Sequence, residues 1–283
     1  SLTGEPLSGK VALSGGLGQG GAYKGQLTTL DLSTPQAGDW RLQRAAPVAL
    51  EQARISAGPL CLRAADGSGG CLDFNQAKAG EWSAGIDLDK LDFALLKKLL
   101  PKDMTADGAA RLKGRFSARG PVLTGSAMAE IPKGLVNLDL GKGKRQKLDF
   151  SDTRLILNAN GGGLSAKVAV PVKELADIQG DLSLPGWRLD APARPAQPLR
   201  GNLRAKLQSL AAIGSLVPDL TDLKGGVDAD LSLGGTLAKP GVMGTAEIQN
   251  VGFEVPLVAL RVFALSPRRG RGAAPWARHA ATR

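Results

Sequence analysis

The sequence predicts an all-β fold: a long, curled, mostly antiparallel sheet forming an elongated hydrophobic groove, with two short helices. Three observations lead there. Apolar and polar residues alternate with period two through most of the 283 residues, which puts apolar side chains on one face of each strand. The 38 glycines and 17 prolines, against 4% aromatics, make the chain rich in turns and its apolar surface aliphatic. Convincing 3.6-residue periodicity is confined to two short stretches, too little helix to cover the apolar side of some twenty short strands. Such a sheet packs against a second sheet, closes into stacked coils, or curls until its apolar face lines a groove. Twenty strands in series at about 4.8 Å would give a strip about 90 Å long and about 20 Å wide. An aliphatic trough of that kind suits flexible acyl chains, which gain roughly 0.8 kcal/mol per buried CH₂.

The elements follow in chain order. "LSGGLGQGGAYKGQL", residues 13–27, holds Gly16, Gly18 and Gly21 at dinucleotide-fingerprint spacing, which requires a helix next. Tyr23, Gly25, Thr28 and Thr29 follow instead, so the stretch reads as a glycine turn between two strands, with Val11 and Leu13 on the apolar face. Cys61 and Cys71 flank "RAADGSGG", a turn segment between two apolar pairs, and are candidates for a disulfide across a β-hairpin. Buried free thiols are the alternative. A disulfide would imply an oxidising compartment, and two cysteines without a nearby histidine cannot complete a zinc site. The first helix is expected over 89–100, with Asp89 as cap, Leu91, Leu95 and Leu99 on one face, and Pro101 as stop. The clearest alternating run is "LSAKVAVPV", with Leu164, Val168, Val170 and Val172 on one side and Lys167 on the other. Prolines around 185–201 read as a loop, and the second helix is expected at about 209–216. Val227, Leu231 and Leu233 then share a face opposite Asp228 and Asp230, and the "GTAEIQN" and "FEVPL" runs add Ile248 and Val255.

The two helix-and-strand stretches also resemble each other. "LLPKDMTADGAARLKGRFSARGPVLTGSAMAEI" aligns with "LVPDLTDLKGGVDADLSLGGTLAKPGVMGTAEI", so that Gly108 answers Gly225 and Gly125 answers Gly244. The opening segment fits the same unit: glycine, alternating strand, glycine turn, second strand. Sub-repeats are expected at about 1–90, 91–184 and 200–256, within one β-rich region over residues 1–264. The chain begins without methionine and inside this pattern, and so reads as a piece of something longer.

The net charge of +10 is uneven: residues 265–283 hold five arginines and no acid, leaving 31 basic against 26 acidic residues before them. That tail reads as basic and disordered, or as the product of a shifted frame. Lysines and arginines of the body alternate with acids and lack interleaved aromatics, so no nucleic acid is expected as partner. No tuned acid, base, nucleophile or metal cluster stands out, so no enzyme activity and no cofactor are expected.

"PLCL", "GCLDF" and "AGEWSAGIDLDKLDFALLKKLLPKDMTADGAARLKG", with the later "LVPDLTDLKGGVDADLSLGGTLAKPGVMGTAEIQNVGFEVP", resemble the TamB family over roughly residues 5–256. The family's protein is the inner-membrane subunit of the translocation and assembly module, of the AsmA-like class. The resemblance implies a β-taco-like groove in a periplasmic protein anchored in the inner membrane by an N-terminal helix. It further implies outer-membrane biogenesis, through phospholipid movement along the groove and outer-membrane protein assembly or secretion, with phospholipid acyl chains and the barrel protein TamA as partners. On that resemblance, the anchor and the region that contacts TamA are expected to lie outside this chain. Two other classes compete: a β-solenoid adhesin or passenger, whose coils would repeat every 20–30 residues or so rather than over the 117 between Gly108 and Gly225, and a basic polyanion-binding protein. Deleting residues 265–283 is expected to abolish retention on heparin; salt-sensitive retention by the shortened chain would instead support the polyanion class.

Overall fold

Period-two alternation becomes strand almost throughout. A computed structural model of the chain describes residues 8–34, 38–96, 100–139, 145–191, 194–209, 221–255 and 260–265. Strands β1 (Ser8–Leu17) and β2 (Tyr23–Thr34) form the first hairpin, around a single 3₁₀ turn at Gln19–Gly21. The glycine-rich opening is therefore strand, turn and strand. Strands β3 (Gly38–Leu42) and β4 (Ala46–Glu51) both pair antiparallel with β2 on one side and β5 (Arg54–Ala64) on the other. They are two halves of one strand position, interrupted at 43–45.

Beyond β5 each strand pairs with its successor: β6 (Gly69–Lys78), β7 (Glu81–Asp92), β8 (Met104–Arg119), β9 (Val122–Asp139), β10 (Arg145–Asn160) and β11 (Gly163–Val172). The series continues through β12 (Ala176–Pro185), β13 (Arg200–Leu207), β14 (Thr221–Gly235), β15 (Pro240–Val255) and β16 (Leu260–Leu265). All sixteen strands belong to one long antiparallel sheet that curls into a groove. Consecutive hairpins rather than stacked coils build it.

The apolar face stays single because registers match from strand to strand. On β12, Leu184, Leu182 and Ile178 lie opposite Leu164, Ala166 and Val170 of β11; Leu182 and Ile178 in turn face Gly201 and Ala205 of β13, which face Leu233 and Ala229 of β14. Small residues on this face are deeply covered: Ala118 is 3%, Ala159 5% and Ala176 6% exposed. No second layer lies over them among the described residues, so neighbours on the same face supply the cover, as a sheet curled toward that side provides.

Turns are tied along both long rims. On one, the Gly120 N–H donates to the Gly80 carbonyl, Gly161 to Leu123 and Gly186 to Gly162. On the other, Asp139 donates to Asp103, Lys173 to Asp149 and Gln208 to Leu175. The proline-rich segment is a loop docked on the first rim, where Leu189 donates to Pro121, Leu237 donates to Gln197, and the Gln197 side chain is 1% exposed.

Three expectations are corrected. Strands reach 18 residues, as in β9, because β-bulges splice two alternating runs of opposite phase into one strand. In β10, Leu155 and Leu157 keep the apolar face on one side of Asp152 (φ +49°), and Phe150 and Leu148 keep it on the other. A phase switch read from sequence looks like a strand end. The strip is consequently shorter and broader than expected: fifteen strand positions span about 70 Å, and β9 about 60 Å when extended.

The helix expected over 89–100 is largely absent. Residues 89–92 continue β7, Asp89 caps nothing, and only Phe93–Leu96 form one 3₁₀ turn. Leu91 meets Ala110 and Asp92 meets Ala109 across the ladder, so pairing outweighs the leucine spacing. Residues 97–99, and 210–216 of the second expected helix, lie outside the described residues. Past Pro256, where alternation fades, the sheet still gains β16 on β15; residues 266–283 lie outside the described residues.

The internal repeat has a structural counterpart in hairpins β8–β9 and β14–β15. Gly125 sits opposite Phe116 at φ +135°, and Gly244 opposite Leu231 at φ +152°. A Cβ on either glycine would strike a carbonyl oxygen of the neighbouring strand, Arg115 or Asp230. Gly125→Val and Gly244→Val are each expected to lower stability by about 2 kcal/mol or more, read as a shifted denaturation midpoint. A valine tolerated at either site would contradict this account of the repeat.

Candidate functional site

Of the residues expected to line a groove, those whose side chains are described share one face of the sheet. Val11 and Leu13 of β1 stand opposite Leu30 and Leu27 of β2, and are 64% and 56% exposed. On β11, Leu164, Val168, Val170 and Val172 form a row, with Val172 buried where the strand meets its turn. Val227, Leu231 and Leu233 form the corresponding row on β14, and Ile248 of β15 pairs with Val227 and is 42% exposed. Val255 pairs with Leu260 in the last ladder; its side chain lies outside the described ones. The same face carries exposed leucines that the alternating runs did not single out, among them Leu17, Leu50, Leu72 and Leu155.

One further residue on this face escaped sequence reading. Gly108 and Gly134 are paired across β8 and β9, leaving the apolar face without side chains at that point. The Phe93 ring fills the recess: its Cε2 comes within 3.4 Å of where a Cβ on either glycine would stand. Phe93 follows Asp92, whose carboxylate accepts the Ala94 N–H at 3.0 Å and lies 3.3 Å from Lys90 Nζ. The Asp92 backbone N–H donates to Ser68, a fully buried hydroxyl. The only sequence signal for this plug was Gly108, recognised for its place in the repeat. At another rim Trp82 stacks on Phe74, with ring centroids 6.4 Å apart.

The opposite face is polar and largely charge-paired across strands. Arg115 makes two hydrogen bonds, of 2.8 and 3.1 Å, to the Asp73 carboxylate over β7, at the position where Gly85 offers no side chain. Lys113 pairs with Asp87, Arg154 with Glu130, and Arg204 with Asp230. Asp228 shares this face with Asp230 and pairs in register with Lys206, so the two aspartates belong to a solvated ladder. Arg63 beside Asp89 holds that carboxyl below its ordinary range. A depression of about 350 Å³ near Arg154, Lys167, Asp181 and Arg204 lies mainly on this polar face.

Cys61 and Cys71 are directly opposite in β5 and β6 and are joined by a disulfide, with Cα atoms 4.0 Å apart. They lie on the polar face, because their neighbours Leu60, Leu62 and Leu72 occupy the apolar one. Among the described residues no group of three or more His, Cys, Asp or Glu side chains is arranged to hold a metal.

A single antiparallel sheet, apolar along one face and charge-paired along the other, defines an elongated groove protein. The family model described as "TamB, N-terminal domain" matches residues 1–248. The chain belongs to the TamB family, a family of envelope transport and assembly proteins. No solved structure matches it significantly.

The Asp92 carboxyl is held below its ordinary range, first by the Ala94 N–H and then by Lys90. A depressed folded value means this stabilisation is complete above about pH 4, the unfolded range, and is lost as pH falls through the folded value. The Ala94 amide resonance is expected to titrate below pH 4 and to stop titrating in Asp92→Asn. An unchanged acid titration in that variant would remove Asp92 as the cap.

Proposed function

We propose that the apolar face is a conduit for phospholipid acyl chains between the inner and outer membranes, in a periplasmic protein anchored at the inner membrane in its longer form. One observation carries the proposal: the aliphatic stripe runs in register through the described ladders, without a covering layer, and exposes large side chains from Val11 to Ile248. A saturated chain of sixteen carbons would gain roughly 12 kcal/mol if fully buried, and a fraction of that in an open trough. The aliphatic, ring-poor lining favours sliding over a fixed pose. No helix among the described residues is long and apolar enough to cross a membrane, and delivery at the far end would fall to TamA or a similar barrel.

Photo-crosslinking groups at Val170 and Leu231 are expected to capture phospholipid, whereas one at Lys167 on the polar face is not. Arginine at Val170 or Leu231 should reduce capture at neighbouring inward positions several-fold, measured by mass spectrometry of the adducts. Equal labelling of both faces would overturn the conduit and leave a scaffold.

A further inference from the structure

The disulfide has two unlike ends. Cys61 is 9% exposed, and the Arg44 guanidinium donates to its Sγ at 3.8 Å. Arg44 stands in the break between β3 and β4, where the Gln43 N–H also donates to the Cys61 carbonyl at 2.8 Å. Cys71 is half-buried and lines an open depression of about 610 Å³ with Asp73, Asp87, Lys113 and Arg115. The carboxylates there are matched by the two cations, so an approaching anion meets a nearly neutral wall.

We propose that Cys61–Cys71 is a site of thiol–disulfide exchange with fixed polarity: an external thiolate attacks Cys71, and Cys61 departs as the thiolate beside Arg44. In that step a new S–S bond forms between the attacking sulfur and Cys71 Sγ as the Cys61–Cys71 bond breaks. The electron pair passes to Cys61 Sγ, so Cys61 is reduced and the incoming sulfur is oxidised into the mixed disulfide. A second thiolate from a dithiol reductant then attacks the reductant's own sulfur in that mixed disulfide, releasing Cys71 as thiolate and leaving the reductant as a disulfide. Access selects the attacked sulfur and the adjacent cation favours the leaving one, the two factors that set direction in such exchanges. Reduction would unpin the β5–β6 hairpin next to the interrupted strand position, on the face away from the apolar groove.

The whole chain is treated with reduced glutathione, quenched in acid at early times, and alkylated, and peptides are mapped by mass spectrometry. Glutathione is expected on Cys71, and the alkyl group on Cys61, in at least a fivefold excess over the reverse. Arg44→Gln is expected to slow the first exchange about threefold, with Arg44→Lys in between. In Cys71→Ser, the lone Cys61 thiol should titrate below the ordinary value of about 8.5, and Arg44→Gln in that background should raise it. Glutathione found mainly on Cys61, or evenly on both, would overturn the polarity. An unshifted Cys61 thiol would overturn the role of Arg44.

Discussion

In-register antiparallel pairing, in a sheet with no second layer among the described residues, is the constraint on which the structure depends. In a two-layer protein a locally misphased strand can hide an apolar side chain against the other layer. Here the face is set only by which residues stand opposite each other, and a one-residue slip would turn a whole strand inside out. The matched rows from Leu164 through Leu184, and from Ile178 through Ala205 to Ala229, are the result. Where a long strand drifts out of phase, a bulge restores it, as at Asp152 in β10 and at Thr28 in β2, opposite Ala12 and Leu13 of β1.

Glycine has two separate uses in this sheet. At Gly125 and Gly244 it allows a backbone conformation that lets neighbouring strands approach closely at equivalent points of the repeat. At Gly85, Gly108 and Gly134 it clears space for side chains from elsewhere: an Arg–Asp pair passing over β7, and the Phe93 ring on the apolar face. The high glycine content therefore reflects close approach and clearance as well as turning.

The two faces divide the chemistry. Cross-strand ion pairs on the polar side are exposed, and each contributes little to stability, but together they keep that face wet and its strands registered. The disulfide sits on that side too, where it fixes a hairpin beside an interrupted strand position without intruding on the groove. The apolar side is left to aliphatic side chains and a few rings near the rims, which is the arrangement that the proposed passage of acyl chains calls for.

Alternation along "LSAKVAVPV" and "GVDADLSLGG" determined which residues share a face, because side-chain direction in a strand is a local property of period two. The cysteine hairpin and the glycine turn at residues 18–21 were legible for the same reason: their signals lie within a few positions of each other. Strand length, the continuation of β7 through residue 92, and the Phe93 plug were not. Each depends on partners distant in sequence, such as Ala110 opposite Leu91 or Gly134 beneath Phe93. Leucine spacing in 89–100 suggested a helix, and the ladder to β8 overrode it. The sequence thus settled the character of each face, while only the tertiary structure decided how the strands join into one surface, because register is a relation between segments that no single segment encodes.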